Sequence, residues 1–148
     1  MDSDGPSFLL VDGNNILHAW EDLRTIATRN RRRAVVDLIR RLTDWSDDAE
    51  EKVVLVFDGG GALPREEQRD RRIQVIQGGG SETADVLIER LASKYAGIYR
   101  LAVATDDRAV QNLAAAAGAE VISSEGLKDR LDAGARRRAE WLRRHRKG

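Results

Sequence analysis

The chain has 148 residues, with 25 Lys plus Arg balanced by 25 Asp plus Glu and a formal net charge of zero. That length suits one domain with a core of its own. The chain has no cysteine, and its only histidines are His18 and His145, so disulfides, thiolate metal sites, a thiol nucleophile and a multi-histidine zinc centre are excluded.

The opening segment, MDSDGPS, is acidic and polar, unlike a secretory leader. No apolar run approaches the roughly 20 residues needed to span a bilayer. A soluble cytoplasmic protein without a membrane partner is the expectation. Phe8-Leu9-Leu10-Val11 reads as a buried strand stopped by Asp12-Gly13. His18 and Trp20 fall on an early helical segment, where a packed or surface histidine is the ordinary reading. Ala34, Val35, Leu38, Ile39 and Leu42 follow the helix period, with Arg on the opposite face. Val53 to Phe57 is a second strand, ending at Asp58-Gly59. Gly59 to Arg72 has almost nothing to bury and reads as a loop or lid. Ile73 to Ile76 is a third strand, and Ala84 to Ala92 a helix. Tyr99 to Ala104 is a fourth strand, ending at Thr105-Asp106-Asp107. Val110 to Ala117 is a helix with Gly118 as its stop. Glu120 to Ile122 is a short fifth strand. Leu127, Leu131, Ala135 and Leu142 predict a last helix, broken near Gly134.

Strands that alternate with helices, and strands without alternation of their own, imply βαβ units. The expected architecture is α/β, with a mostly parallel sheet covered on both faces. One domain spans residues 1–148, with a core over 8–131 and a basic C-terminal helix over 132–148.

The informative feature is where the carboxylates fall. Asp12, Asp58 and the Asp106-Asp107 pair each follow a strand, and parallel strands deliver their ends to one rim, where ligands of open α/β sheets bind. Asp85 lies in the first turns of the helix that starts at that rim, and Glu89 is one turn further on the same side. Each has an ordinary use, as a turn residue, a helix cap or a partner of the helix dipole. Their coincidence on one rim is harder to explain that way. Like charges about 4 Å apart repel by roughly 4 kcal/mol at an effective dielectric near 20. Gathered carboxylates therefore take up protons or a cation. Oxygen donors alone select Mg²⁺ or Mn²⁺, ions suited to phosphodiester hydrolysis.

The zero net charge is a sum of opposed parts. Arg24 to Arg41 carries +6 and Ala135 to Gly148 another +6, leaving −12 elsewhere. Such asymmetry points to a polyanion, although Arg-rich helix faces are often only solvated. Arg108, beside the Asp pair, is a candidate phosphate ligand.

Four segments in order, LLVDGNNILHAW (Leu9 to Trp20), VVLVFDGGG (Val53 to Gly61), SETADVLIERL (Ser81 to Leu91) and ATDDRAVQ (Ala104 to Gln111), resemble the YacP-like NYN family. That family belongs to the larger group of PIN-like metal-dependent ribonucleases. The resemblance covers about Phe8 to Leu131. It implies a PIN-like three-layer α/β/α sandwich and an endoribonuclease of RNA decay, in some members on the ribosome. It implies a Mg²⁺ or Mn²⁺ site in which Asp12, Asp85 and Asp107 hold the metal and Asp58 serves as ligand or water-positioning group. Asp106 is a less secure metal ligand, since the family often has a small residue there. Asn15 would orient the first Asp or a metal-bound water. Asn14 stands where the family usually has an aromatic, a departure that bears on substrate contacts. The tail from Arg136 through Lys147, including Arg137, Arg138 and Arg143, would grip RNA backbone, and Trp141 would stack on a base or pack. Two rivals remain: a non-catalytic RNA-binding domain of the same fold, and an Asp-nucleophile phosphatase. The second is weakened by Asn14, two residues after Asp12, where a general acid is needed. No GxxxxGK[ST] loop or nucleophile elbow is present.

Overall fold

A computed structural model describes residues 7–60 and 73–146. In chain order the elements are β1 (Ser7–Asp12), α1 (Gly13–Ala19), α2 (Glu21–Arg29), α3 (Arg31–Ala49), β2 (Lys52–Phe57) and β3 (Ile73–Gln77). There follow α4 (Ala84–Tyr95), β4 (Arg100–Ala104), α5 (Arg108–Ala116), β5 (Glu120–Ile122) and α6 (Ser124–His145). Helix starts obey local chemistry. Asp12, Asn30, Thr83, Asp107 and Ser123 each precede a helix, and each side chain accepts a backbone N–H from its first turn.

The strands form one sheet in the order β3-β2-β1-β4-β5, and every pairing is parallel. Successive side chains go to opposite faces. Leu9, Val11, Val53, Leu55 and Phe57 therefore meet Ile16, Trp20, Leu38, Leu42 and Leu127 on the face covered by α1, α2, α3 and α6. Leu10, Val54, Val56 and Val103 meet Ala84, Ile88, Val110 and Ala114 on the face covered by α4 and α5. The result is the three-layer α/β/α arrangement expected, with a sheet that is wholly rather than mostly parallel.

The chain builds outward from β1 to β2 and β3, then returns to the other side of β1 for β4 and β5. The order reverses between β1 and β4. Such a reversal opens a crevice at the carboxyl ends of those two strands, because the connections leave them in opposite directions.

Two glycines matter to this packing. A Cβ on Gly13 would lie 2.5 Å from the Phe57 ring, so only glycine lets α1 leave β1 there. Gly134 corrects the expectation of a broken last helix: α6 runs unbroken to His145. Gly134 is buried within it, where a Cβ would stand 3.2 Å from Trp45 Cδ1. Its smallness brings α6 close to α3 and does not break the backbone. The stretch read as a loop or lid, Gly59 to Arg72, lies outside the described residues from 61 on.

Candidate active site

Asp12 is the last residue of β1 and only 4% exposed. Its Oδ2 accepts the Thr105 hydroxyl at 3.0 Å, and its Oδ1 accepts the Asn15 N–H at 3.4 Å. Burial pushes its pKa up from 3.8 to about 6. These two hydrogen bonds oppose the rise, and the negative charges of Asp85 and Asp58 add to it.

Thr105 is fully buried just beyond β4. Its hydroxyl donates to Asp12 and accepts the Asp107 N–H at 3.1 Å. One oxygen thus joins the two strands that flank the topological crevice. Asp107 in turn caps α5, its Oδ1 accepting the Val110 N–H at 3.1 Å.

Asp58 follows β2 and is pinned from two sides. Its N–H donates to Asn14 Oδ1 at 2.9 Å, and its own Oδ1 accepts the Ala84 N–H at 2.6 Å, at the start of α4. Asp85 is the next residue of α4. Its side chain is exposed and makes no hydrogen bond among the described residues. Partial burial, then the charges of Asp107 and Asp58, hold its carboxyl above the usual range. Asp12, Asp58, Asp85 and Asp107 therefore share one rim and sense one another's charge. No Lys or Arg forms an ion pair with any of them among the described residues.

Other candidates are placed differently. Both carboxylate oxygens of Asp106 are taken by Ser124: Oδ1 accepts its N–H at 2.8 Å and Oδ2 its hydroxyl at 2.6 Å. Asp106 fastens the start of α6, and it is not among the charges acting on Asp12 or Asp85. Asn15 Oδ1 accepts the Asp106 N–H at 3.0 Å, so its side chain fixes the β4 exit. Glu89 is exposed further along α4 and is not among the charges acting on Asp12 or Asp85. Arg108 is exposed at the first residue of α5, beside the site.

The basic blocks separate in space. The Arg31 guanidinium carbon lies 5.9 Å from the ring centre of Phe57, the last residue of β2, so the start of α3 stands at the rim. Within the same block, Arg40 and Arg41 pair with Asp37, and Arg41 also with Asp22. Helix α6 starts at the rim and runs away from it. Arg136 lies 12 residues along and Arg143 lies 19, which is about 18 and 28 Å at 1.5 Å per residue. Arg138 is held by Asp48 and by the Asp44 carbonyl, so its guanidinium is committed to α3. Arg136, Arg137 and Arg143 are exposed, and Trp141, 57% exposed, stacks on His145.

The donor set suits a hard divalent cation: oxygens only, on one rim, with no Lys or Arg paired to them among the described residues. The carboxylates stand at electrostatic range rather than ligand spacing. No three His, Asp or Glu side chains among the described residues are grouped closely enough to hold an ion as they stand. Asp85, exposed and without a hydrogen bond, is the member least fixed.

Three residues of this arrangement carry little signal in the sequence. Thr105 is visible there only as part of the stop after the fourth strand, Ser124 not at all, and Asn14 only as a departure from a pattern. All three act through hydrogen bonds to residues at least 18 positions away.

An all-parallel α/β domain with acidic residues at its switch point is the setting of nuclease-like domains of the NYN class. The model of the YacP-like NYN domain matches residues 9–147. The chain belongs to the YacP-like NYN domain family. The match runs through the basic helix, beyond the Leu131 limit of the motif resemblance. Among its relatives is the Bacillus subtilis (strain 168) protein named "Uncharacterized protein YacP". It is 34% identical over 101 residues, which are 67% of this chain and 59% of that protein. The chain thus matches less than two thirds of that relative's length. Crystal structures of Rae1 (YacP) from Bacillus subtilis superpose with TM-scores of 0.81 (the W164L mutant) and 0.80, at 29% identity. Each covers 93% of this chain, which in turn covers 82% and 80% of theirs.

Proposed function

We propose that this protein is a metal-dependent endoribonuclease acting on single-stranded RNA. One observation carries the reading: Asp12, Asp58, Asp85 and Asp107 converge on the switch point with no cationic partner among the described residues. Asp12, Asp85 and Asp107 would hold Mg²⁺ or Mn²⁺. When bound, the ion would polarise the phosphodiester and supply a nucleophilic water at neutral pH. The chain's own residues do the rest. Thr105 keeps Asp12 and Asp107 facing one space. Asp58, fixed at the start of α4, orients the attacking water or completes the ion's shell. Arg108 and the α3 start at Arg31 hold the backbone phosphates on either side.

Labelled single-stranded RNA incubated with Mn²⁺ or Mg²⁺, with chelator, and with Asp12→Asn tests this. Cleavage is expected only for the wild type with metal. Cleavage that survives chelator or substitution overturns the mechanism.

The absence of a ready group of three ligands among the described residues favours a second reading, a non-catalytic RNA-binding domain. It predicts RNA binding without turnover in any divalent ion. The phosphatase alternative is weakened further, because Asn14 is engaged with the Asp58 backbone.

A further inference from the structure

We infer that Asn14 is a positioning residue for the Asp58 carboxylate. The inference rests on the nuclease reading. Asn14 is the second residue of α1, half-buried, two residues after Asp12. Its Oδ1 accepts the Asp58 N–H at 2.9 Å across 44 residues of sequence. Asp58 lies just past the last residue of β2, where the Phe57 carbonyl still accepts an N–H, from Gly78, but the β2 ladder has ended. The Asn14 side chain gives the Asp58 N–H the partner that the sheet no longer supplies.

Asp58 is thereby held by three residues, one of them Gln77, whose Nε2 donates to the Asp58 carbonyl at 3.3 Å. Asn14 holds its backbone, and the Ala84 N–H holds its Oδ1. That leaves Oδ2 as the oxygen available to the rim. Asn15 does the mirror task, accepting the Asp106 N–H at 3.0 Å. Two consecutive amides on one helical turn therefore tie the exits of β2 and β4 to the helix that Asp12 caps. Without Asn14, the N–H at the exit of β2 loses its partner, and Asp58 keeps its bond to α4 and the longer bond from the Gln77 amide. Its oxygen then wanders relative to Asp12, and misplacement of about 1 Å costs up to roughly 100-fold in rate.

The test compares wild type with Asn14→Ala, using steady-state RNA cleavage and amide hydrogen exchange read residue by residue by NMR. The expected result is a kcat lower by about 10- to 100-fold with KM changed less than about threefold, since the lost interaction orients a group and does not grip RNA. The Asp58 amide should exchange faster, while the Asp106 amide, held by Asn15, should not change. A kcat within about twofold of wild type, or an unchanged Asp58 amide, overturns the inference. Asn14→Ser, whose hydroxyl is too short to reach the Asp58 N–H, carries the same test if the alanine variant does not fold. A wild type that cleaves nothing in any divalent ion sinks the nuclease reading. The Asp58 exchange result then decides separately whether Asn14 holds that strand end.

Discussion

Asp12→Asn should abolish cleavage and at the same time stabilise the fold. The folded carboxyl sits at about 6 against an ordinary 3.8. A carboxyl whose folded value is raised binds its proton more tightly when folded, so stability falls as pH rises from the ordinary value through the folded one. Relative to a neutral side chain, the charge costs less than about 1 kcal/mol at pH 4 and about 3 kcal/mol at pH 7.5. Asparagine keeps one oxygen for the Thr105 hydroxyl but gives up the bond from the Asn15 N–H, so part of that cost should be recovered. Urea unfolding of both proteins in chelator, at pH 7.5 and at pH 4, measures the difference. A gain of about 1–3 kcal/mol at pH 7.5 that shrinks below about 1 kcal/mol at pH 4 is expected. Added Mn²⁺ should stabilise the wild type by mass action and leave Asp12→Asn unmoved. A variant that is less stable than wild type at pH 7.5, or a difference that does not depend on pH, would refute the reasoning.

Thr105→Val removes the hydroxyl that joins Asp12 to the Asp107 N–H, leaving both without that partner. A loss of about 1–3 kcal/mol in urea unfolding is expected, together with a fall in kcat. Gly13→Ala drives a methyl into the Phe57 ring. It should cost about 1–3 kcal/mol and lower the thermal midpoint, even though alanine is the better helix former. Replacing Arg31 and Arg108 by Gln should reduce the slope of log K against log salt for a short single strand by about 0.7 for each phosphate no longer neutralised, read by fluorescence anisotropy. Replacing Arg136 and Arg143 should not, because they lie too far along α6 to reach that strand.

The architecture is legible in the sequence because its signals are local and repeated. Strands buried on both faces read as unbroken apolar runs, and every helix start but that of α2 carries its own capping residue. The same logic places Asp12, Asp58, Asp85 and Asp107 on one rim, since strand direction alone fixes which end a residue occupies. What stays hidden depends on side-chain direction. Asp106 and Asp107 are adjacent in sequence. One turns to Ser124 and the other caps α5, and nothing in the pair itself distinguishes them. Gly134 misleads for a related reason. Glycine inside a helical pattern signals either a break or a close approach, and only the position of Trp45 decides which.

Charge shows the same division between what composition can say and what geometry must. Two blocks of equal charge look interchangeable in the sequence. In the fold, the first block reaches the rim where Arg31 meets Phe57 and surrenders Arg40 and Arg41 to Asp37 and Asp22. The second is carried away from the rim by the length of α6, with Arg138 committed to Asp48. On the proposed nuclease reading, a bound strand would therefore meet Arg31 and Arg108 at the rim rather than the second block. Arg136, Arg137 and Arg143 are too distant to hold the phosphates flanking the cut. Whatever affinity they add must come from parts of the polyanion well removed from it, so their contribution should grow with substrate length while that of Arg31 and Arg108 stays constant. Nearest-neighbour charge at the crevice itself remains negative, so on the nuclease reading a cation would have to bind before a phosphate could approach.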